Sequence, residues 1–256
     1  MQKHASQFVF SPFLERPVKA DLSPITHALT VTGWLIVGVS FIFTVFPTID
    51  LTVSSWFAKD GNFILGDHVL LRGLRDYSRL LTKVIVWSMV LLTALCIACP
   101  RGLWRCAAHK PLFVLTSFFA GPVVVVEALK FAIGRARPRH LIDFGGSADF
   151  TPVWEFAAAC SHNCSFPSGE AAGAAAALSL LVFVSPRYRA LTASMVTPVL
   201  IFVAMNRVAF GAHFLSDVVL AWLITLFIML LIWRWTQVRS QDIDDRLSGV
   251  VRRRAQ

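Results

Sequence analysis

The feature that most constrains this chain is a series of long apolar stretches nearly free of charge, the fourth and fifth of them shorter and weaker than the rest. A helix of about 20 apolar residues spans the hydrocarbon core. Six such runs are read, over Thr26–Phe46, Lys83–Cys99, Leu112–Ile133, Gly169–Val184, Ala190–Asn206 and His213–Trp235. Backbone groups in lipid must be satisfied within their own segment, so these runs are helices rather than open strands. Only 15% of the residues are charged, whereas soluble domains carry about 25%. The expected fold is therefore all-α: a polytopic membrane protein with six transmembrane helices in one bundle. Pro111 opens the third run, where a missing N–H is harmless, and Pro198 inside the fifth predicts a kink. The first run starts too far from Met1, is too long and lacks the cleavage site expected of a signal peptide.

Six spans place both termini on one side. That side holds Lys3, Arg16, Lys19, Arg101, Arg105, Lys110, Arg187, Arg189, Arg234, Arg239, Arg246, Arg252, Arg253 and Arg254. Opposing them are only Glu15, Asp21, Asp242, Asp244 and Asp245. The whole net charge of +9 thus lies on one face, which the positive-inside rule assigns to the cytoplasm. The expected organisation is a cytoplasmic segment 1–25, a six-helix domain 26–235 and a basic cytoplasmic tail 236–256. Beside an apolar helix, such a tail points to anionic lipid headgroups of the bilayer rather than to nucleic acid.

The polar residues near the opposite surface are concentrated at helix ends. The third run ends in Lys130, Arg135 and Arg137, and the fourth opens with Pro167-Ser168-Gly169-Glu170. The fifth ends at Arg207, and the sixth starts with His213 and Asp217. Lys130, Arg137 and Arg207 offer three cations, two of them planar forks that suit phosphate oxygens. The Ser168-Gly169 turn presents free N–H groups and the positive end of a helix dipole to an anion. His213 and Asp217, spaced i, i+4, are expected on one face of the first turn of the sixth helix. The carboxylate would then bond one imidazole nitrogen and leave the other free to attack phosphorus. As a packing pair the two would need no cations beside them, so Arg137 and Arg207 favour the chemical reading.

These residues resemble the type 2 phosphatidic acid phosphatase superfamily, which includes the vanadium haloperoxidases. Its Lys-x6-Arg-Pro motif stands as Lys130 to Arg137-Pro138, and its Arg-x5-His-x3-Asp motif as Arg207 to His213 to Asp217. Its Pro-Ser-Gly-His motif stands as Pro167-Ser168-Gly169, with Glu170 in place of the histidine. The resemblance implies a phosphohistidine at His213 oriented by Asp217. It also implies phosphate binding by Lys130, Arg137, Ser168, Gly169 and Arg207, with no metal and no cofactor. In the family the replaced histidine protonates the leaving oxygen. Glu170 could do so as a raised-pKa acid, could activate water as a base, or could pair with an arginine; His140 and His162 are alternative acids. The phrase Asn163-Cys164-Ser165-Phe166-Pro167-Ser168-Gly169-Glu170 and the segment Phe46-Pro47-Thr48-Ile49-Asp50-Leu51 resemble a bacterial branch that includes lipid A 4′-phosphatases.

The partner implied is a phosphorylated lipid: lipid A, phosphatidylglycerol phosphate, phosphatidic acid and polyprenyl pyrophosphate all fit. Transfer of the phosphoryl group to a second lipid, or binding without turnover, are rival outcomes of the same pocket. Arg135 and Arg139 are expected to be solvated or to face headgroups. Glu127 is expected to pair with Lys130 one turn away. Ala171–Ala177 is expected to let the fourth helix pack closely, and Trp56, Phe57 and Trp154 to sit at the membrane interface. Cys160 and Cys164 could form a disulfide, remain thiols or bind metal.

Overall fold

The computed structural model describes residues 21–98, 107–157 and 159–254, with side chains as far as residue 247. Most of the expected segment 1–25 lies outside the described residues, as do Cys99, Arg101, Arg105, Cys106 and the side chains of Arg252, Arg253 and Arg254. The fold is an all-α, polytopic membrane protein. Its helices are α1 (Ser23–Val45), α2 (Thr48–Ser55), α3 (Val69–Ala98), α4 (His109–Phe118), α5 (Val126–Ile133), α6 (Gly169–Ala177), α7 (Pro186–Ala209) and α8 (Leu215–Arg254). A π-helical segment, Phe119–Val125, joins α4 to α5, and α6 runs on as a 3-10 helix, Leu178–Phe183. A short hairpin, β1 (Ala58–Lys59) paired antiparallel with β2 (Asn62–Phe63), follows α2.

Five of these stretches are long and apolar enough to cross a membrane: α1, α3, α4 through α5, α7 and α8. The sixth expected span, Gly169–Phe183, is apolar but shorter. Trp34, Phe41, Trp87, Phe131, Met195 and Phe202 are all exposed on the outside of the bundle. In water such a surface would be an aggregation site; against lipid tails it is the expected exterior. The second span differs from expectation, because α3 begins at Val69 rather than near Lys83. Its first turns carry Arg72, Arg75, Asp76 and Arg79, which hide a helix from any test based on apolar runs. Helix α7 runs through Pro198 as one element. Helix α8 continues past residue 235 to Arg254, and Asp244 on it bonds both the N–H and Nδ1 of His109 at the start of α4 (2.9 and 2.8 Å).

Helix α8 is the axis of the bundle and packs against α1, α4 and α6. Small residues allow the close approach, as expected for α6: Ala171, Ala172, Ala174, Ala175 and Ala176 are all buried. The π-helical segment uses the same device at Gly121, where an added Cβ would lie 2.8 Å from Cγ2 of Thr225 on α8. Pro122 beside it cannot donate to the helical ladder, which gives a local reason for the wider turn. Phe57 and Trp154 depart from the expected interfacial role. Phe57 packs against the core, and Trp154 meets Phe166 edge-on at 4.9 Å, whereas Trp56 is 70% exposed.

Replacing Gly121 by valine forces this contact apart. The variant is expected to lose about 1–3 kcal/mol through overpacking, read as a lower thermal midpoint in detergent; Gly73→Val, with open space around it, serves as the comparison.

Candidate active site

The site forms where four chain reversals meet at one end of the bundle. Helix α5 ends at Gly134, whose left-handed φ of +63° lets its N–H cap the Lys130 carbonyl. The chain then leaves as an extended stretch carrying Arg135 and Arg137. Ser168 begins α6 in extended conformation, its hydroxyl accepting from the Ala171 N–H at 3.4 Å, as an N-cap does. Arg207 ends α7, and the turn at Phe210–Ala212 delivers His213 just ahead of α8.

His213 is 1% exposed. Its Nδ1 lies 2.6 Å from the Ser165 carbonyl oxygen. A carbonyl can only accept, so Nδ1 carries the proton and Nε2 of the neutral ring keeps its lone pair. Nε2 makes no hydrogen bond among the described residues and lies 3.6 Å from Glu170 Oε2. The expected bond from Asp217 to the imidazole is not made; the closest approach is 3.9 Å. The reason is local: α8 starts at Leu215, so His213 lies before the helix and i, i+4 geometry does not apply to it.

Asp217 instead holds the framework around the histidine. Its Oδ2 accepts from the Phe214 N–H (2.8 Å) and from the Ser165 hydroxyl, and its Oδ1 accepts from Arg135 Nη1 (2.6 Å). Arg135 corrects the expectation of a solvated side chain, for it is fully buried. It also donates to Asp50 (3.0 Å), the Ser216 hydroxyl (2.9 Å) and the Thr151 carbonyl (2.8 Å), with its face 4.1 Å from the centroid of Phe214. Asp50 on α2 accepts in turn from the Ser216 N–H and hydroxyl. Burial pushes the Asp50 carboxyl above its ordinary value, and Arg135 opposes that shift.

The cations differ in how far they are satisfied. Arg137 donates to the carbonyl and side-chain oxygens of Asn163 (2.9 and 2.6 Å). Lys130 bonds Glu127 at 2.9 Å, as expected, and its ammonium lies 3.7 Å from where a Cβ on Gly169 would sit. Arg207, 5% exposed, keeps two buried nitrogens, Nε and Nη1, without partners among the described residues. Its Nη2 is 3.6 Å from Glu170 Oε1, an oxygen that also accepts from Arg79. Glu170 thus pairs with two arginines while facing the imidazole. His140 and His162 are exposed, and no described contact joins either one to Glu170 or His213. Among the described residues no cluster suited to a metal is found. Cys160 and Cys164 form a disulfide, with 5.6 Å between their Cα atoms, in the loop that carries Asn163.

Buried polar atoms without partners are rare and call for an explanation. Of the eight such side-chain atoms among the described residues, three are a histidine nitrogen and two guanidinium nitrogens grouped with Lys130, Arg137 and the first turn of α6, an arrangement suited to a tetrahedral anion.

Comparison with known proteins agrees with this chemistry. The family model for the PAP2 superfamily matches residues 110–241, just over half of the chain. The chain belongs to the PAP2 superfamily. The matched region of this PAP2 protein contains the positions of all three motifs, the second with Glu170 in place of histidine. A lipid A 4′-phosphatase of Rhizobium leguminosarum is 41% identical over 122 residues, covering 47% of this chain and 52% of the relative. A lipid A 1-phosphatase of Rhizobium johnstonii is 36% identical over 106 residues, covering 41% and 38%. The PAP2 chain therefore matches about half or less of the length of these curated relatives. The crystal structure of a transmembrane PAP2 type phosphatidylglycerolphosphate phosphatase from Bacillus subtilis shares the fold, with a TM-score of 0.55 at 18% identity, over 82% of this chain and 96% of that one.

Arg135, Asp50, Arg79 and Ser165 were not singled out as site residues from sequence. Only the similarity of the phrases around Asp50 and Ser165 to the lipid A phosphatase branch pointed to two of them. Arg135→Met leaves two buried carboxylates facing each other. It is expected to cost about 3–5 kcal/mol, as for other broken buried pairs, and to lower the thermal midpoint more than Arg137→Met does, since Arg137 forms no salt bridge among the described residues and bonds only Asn163.

Proposed function

We propose that this chain is a lipid phosphatase, a phosphoric monoester hydrolase working through a phosphohistidine on His213. The observation that carries the reading is the His213 ring, with Nδ1 tied to a carbonyl and Nε2 without a hydrogen-bond partner among the described residues, facing the same Glu170 carboxylate as Arg207. A ring fixed in this way is a nucleophile waiting for an electrophile, whereas a pocket that only binds phosphate has no need to fix a tautomer.

In the first step Nε2 attacks phosphorus, the bond from phosphorus to the lipid oxygen breaks, and that oxygen takes a proton from water. Lys130, Arg137, Arg207 and the N–H groups opening α6 hold the three phosphoryl oxygens and offset the charge that develops on them. In the second step water attacks phosphorus, the P–N bond breaks, and the proton released goes to the Glu170 carboxylate, which passes it to the hydroxide left by the first step. That assignment follows from the two arginines on Glu170, which favour a carboxylate over a proton donor. Asp217 acts one step removed, through Ser165. The relatives named lipid A 4′-phosphatase favour the 4′-phosphate of lipid A as substrate.

The basic residues on the face away from the site support a periplasmic active site in a bacterial inner membrane, with both termini cytoplasmic. From Leu215 to Asp244, α8 spans about 40 Å at 1.5 Å per residue, enough to separate the two faces. Residues 26–235 would then form the catalytic unit, and 236–256 would lie against anionic headgroups.

Purified protein in detergent is expected to release phosphate from lipid A, and His213→Ala to lower that rate by at least about 1,000-fold, as loss of a nucleophile does. Quenching with a 32P-labelled lipid should leave an acid-labile phosphoryl adduct on the wild type alone. A His213→Ala variant with near-native turnover contradicts the reading. Phosphate appearing on an added acceptor lipid rather than in water would reassign the chain to phosphotransfer.

A further inference from the structure

A polar cavity of about 330 Å³ lies beside the candidate phosphate site and takes no part in the mechanism above. Its lining includes Asn62 from the β1–β2 hairpin, Arg72 from the first turn of α3, Arg139, and the ring of Phe210. Three observations join it to the catalytic end. Phe210 is shared, because the Arg207 guanidinium lies 5.5 Å from the centroid of the same ring. Arg139 is two residues beyond Arg137, and its N–H donates to the Gly211 carbonyl at 3.0 Å, two residues before His213. The hairpin is pressed onto that turn, for a Cβ on Gly211 would fall 2.3 Å from the Phe63 ring. Gly211, at a φ of +59°, is thus required both by backbone conformation and by space.

The charges in this cavity are unequal. Arg72 is neutralised by Asp67 and also bonds the Gly66 carbonyl at 2.9 Å. Arg139 is exposed and has no side-chain partner among the described residues. An arginine held on a fixed turn, facing a cavity, with its fork unfilled, is suited to a carboxylate or phosphate arriving from outside.

Resting on the phosphatase reading, we propose that this cavity is a second subsite, which takes another anionic group of the same substrate's headgroup while the scissile phosphate sits at His213. The substrate class is then a lipid whose headgroup carries two separated anionic groups on a bulky polar frame, such as a bisphosphorylated saccharide lipid. A small phosphomonoester lipid such as phosphatidic acid fills only the first site. Relatives named for two different phosphates of lipid A are of this chemical kind. The subsite acts as a specificity determinant: Arg139 touches the headgroup and not the reacting atoms.

The test compares two lipids on the same enzyme preparation, a lipid A bisphosphate and its analogue lacking the distal phosphate, so that the fraction of folded enzyme cancels. For the wild type, kcat/KM should favour the bisphosphate. Arg139→Gln should reduce that preference about tenfold, the loss of one partly exposed charge-assisted contact, and Arg139→Lys should fall between the two. An unchanged preference in Arg139→Gln overturns the subsite and leaves the phosphatase reading intact. Wild-type protein that hydrolyses neither lipid overturns both. A preference reduced equally by Arg139→Gln and by Lys59→Gln, an exposed cation of the hairpin outside the cavity lining, points to general surface charge and also overturns the assignment.

Discussion

The structure depends on one guanidinium buried between two carboxylates. Arg135 links Asp50 of α2 to Asp217 of α8 from a position just after α5, so three distant stretches meet at a single side chain. Four of its five N–H groups are directed at acceptors, and two aromatic rings face it. A charge so far from water is tolerated only with this degree of pairing. From Asp217 the network passes to the Ser165 hydroxyl, and from the Ser165 carbonyl to the imidazole of His213. The orientation of the His213 ring, the nucleophile of the proposed mechanism, is therefore set at a distance, by an ion pair that makes no hydrogen bond to the ring itself.

Two kinds of arginine lie within the same small region, and their hydrogen bonds tell them apart. Arg135 has four of its five N–H groups filled by protein and so belongs to the scaffold. Arg207 is also buried, yet Nε and Nη1 are unfilled among the described residues. Glu170 stands 3.6 Å from both Arg207 and His213, close to the position an incoming anion would take. With Arg79 as its firmer partner, the carboxylate can remain anchored to α3 while a phosphoryl group engages Arg207. This gives the substituted position in the second motif a physical role that a histidine, with no charge to pair with Arg79, would not fill.

Much of this was legible in the sequence, because the site is written at helix ends. Lys130, Arg137, Ser168, Gly169, Glu170, Arg207, His213 and Asp217 are local features: a cation after an apolar run, a turn opening a helix, a polar pair before the next span. Five spanning helices and the shorter apolar helix Gly169–Phe183 were legible as local apolar runs, apart from the start of α3. What escaped was long-range or masked. Asp50 and Arg135 gain meaning only through each other and Asp217, and nothing local distinguishes Arg135 from the exposed Arg139 two residues later. The start of α3 was hidden by arginines that interrupt its apolar pattern, so Arg79 was missed as a partner for Glu170. The histidine–aspartate bond was expected from helical spacing, yet the helix begins two residues too late for that spacing to hold.

The central claim is that Arg207 and His213 face one bound phosphoryl group. Thermal unfolding of the detergent-solubilised protein with increasing inorganic phosphate or vanadate tests it most directly, since a ligand that binds the folded state alone adds about 2.7 kcal/mol at a hundred times its Kd. The wild type should show a thermal midpoint that climbs and saturates with the anion, and Arg207→Gln should lose most of that response. An equal climb in Arg207→Gln, or none in the wild type, would contradict the account.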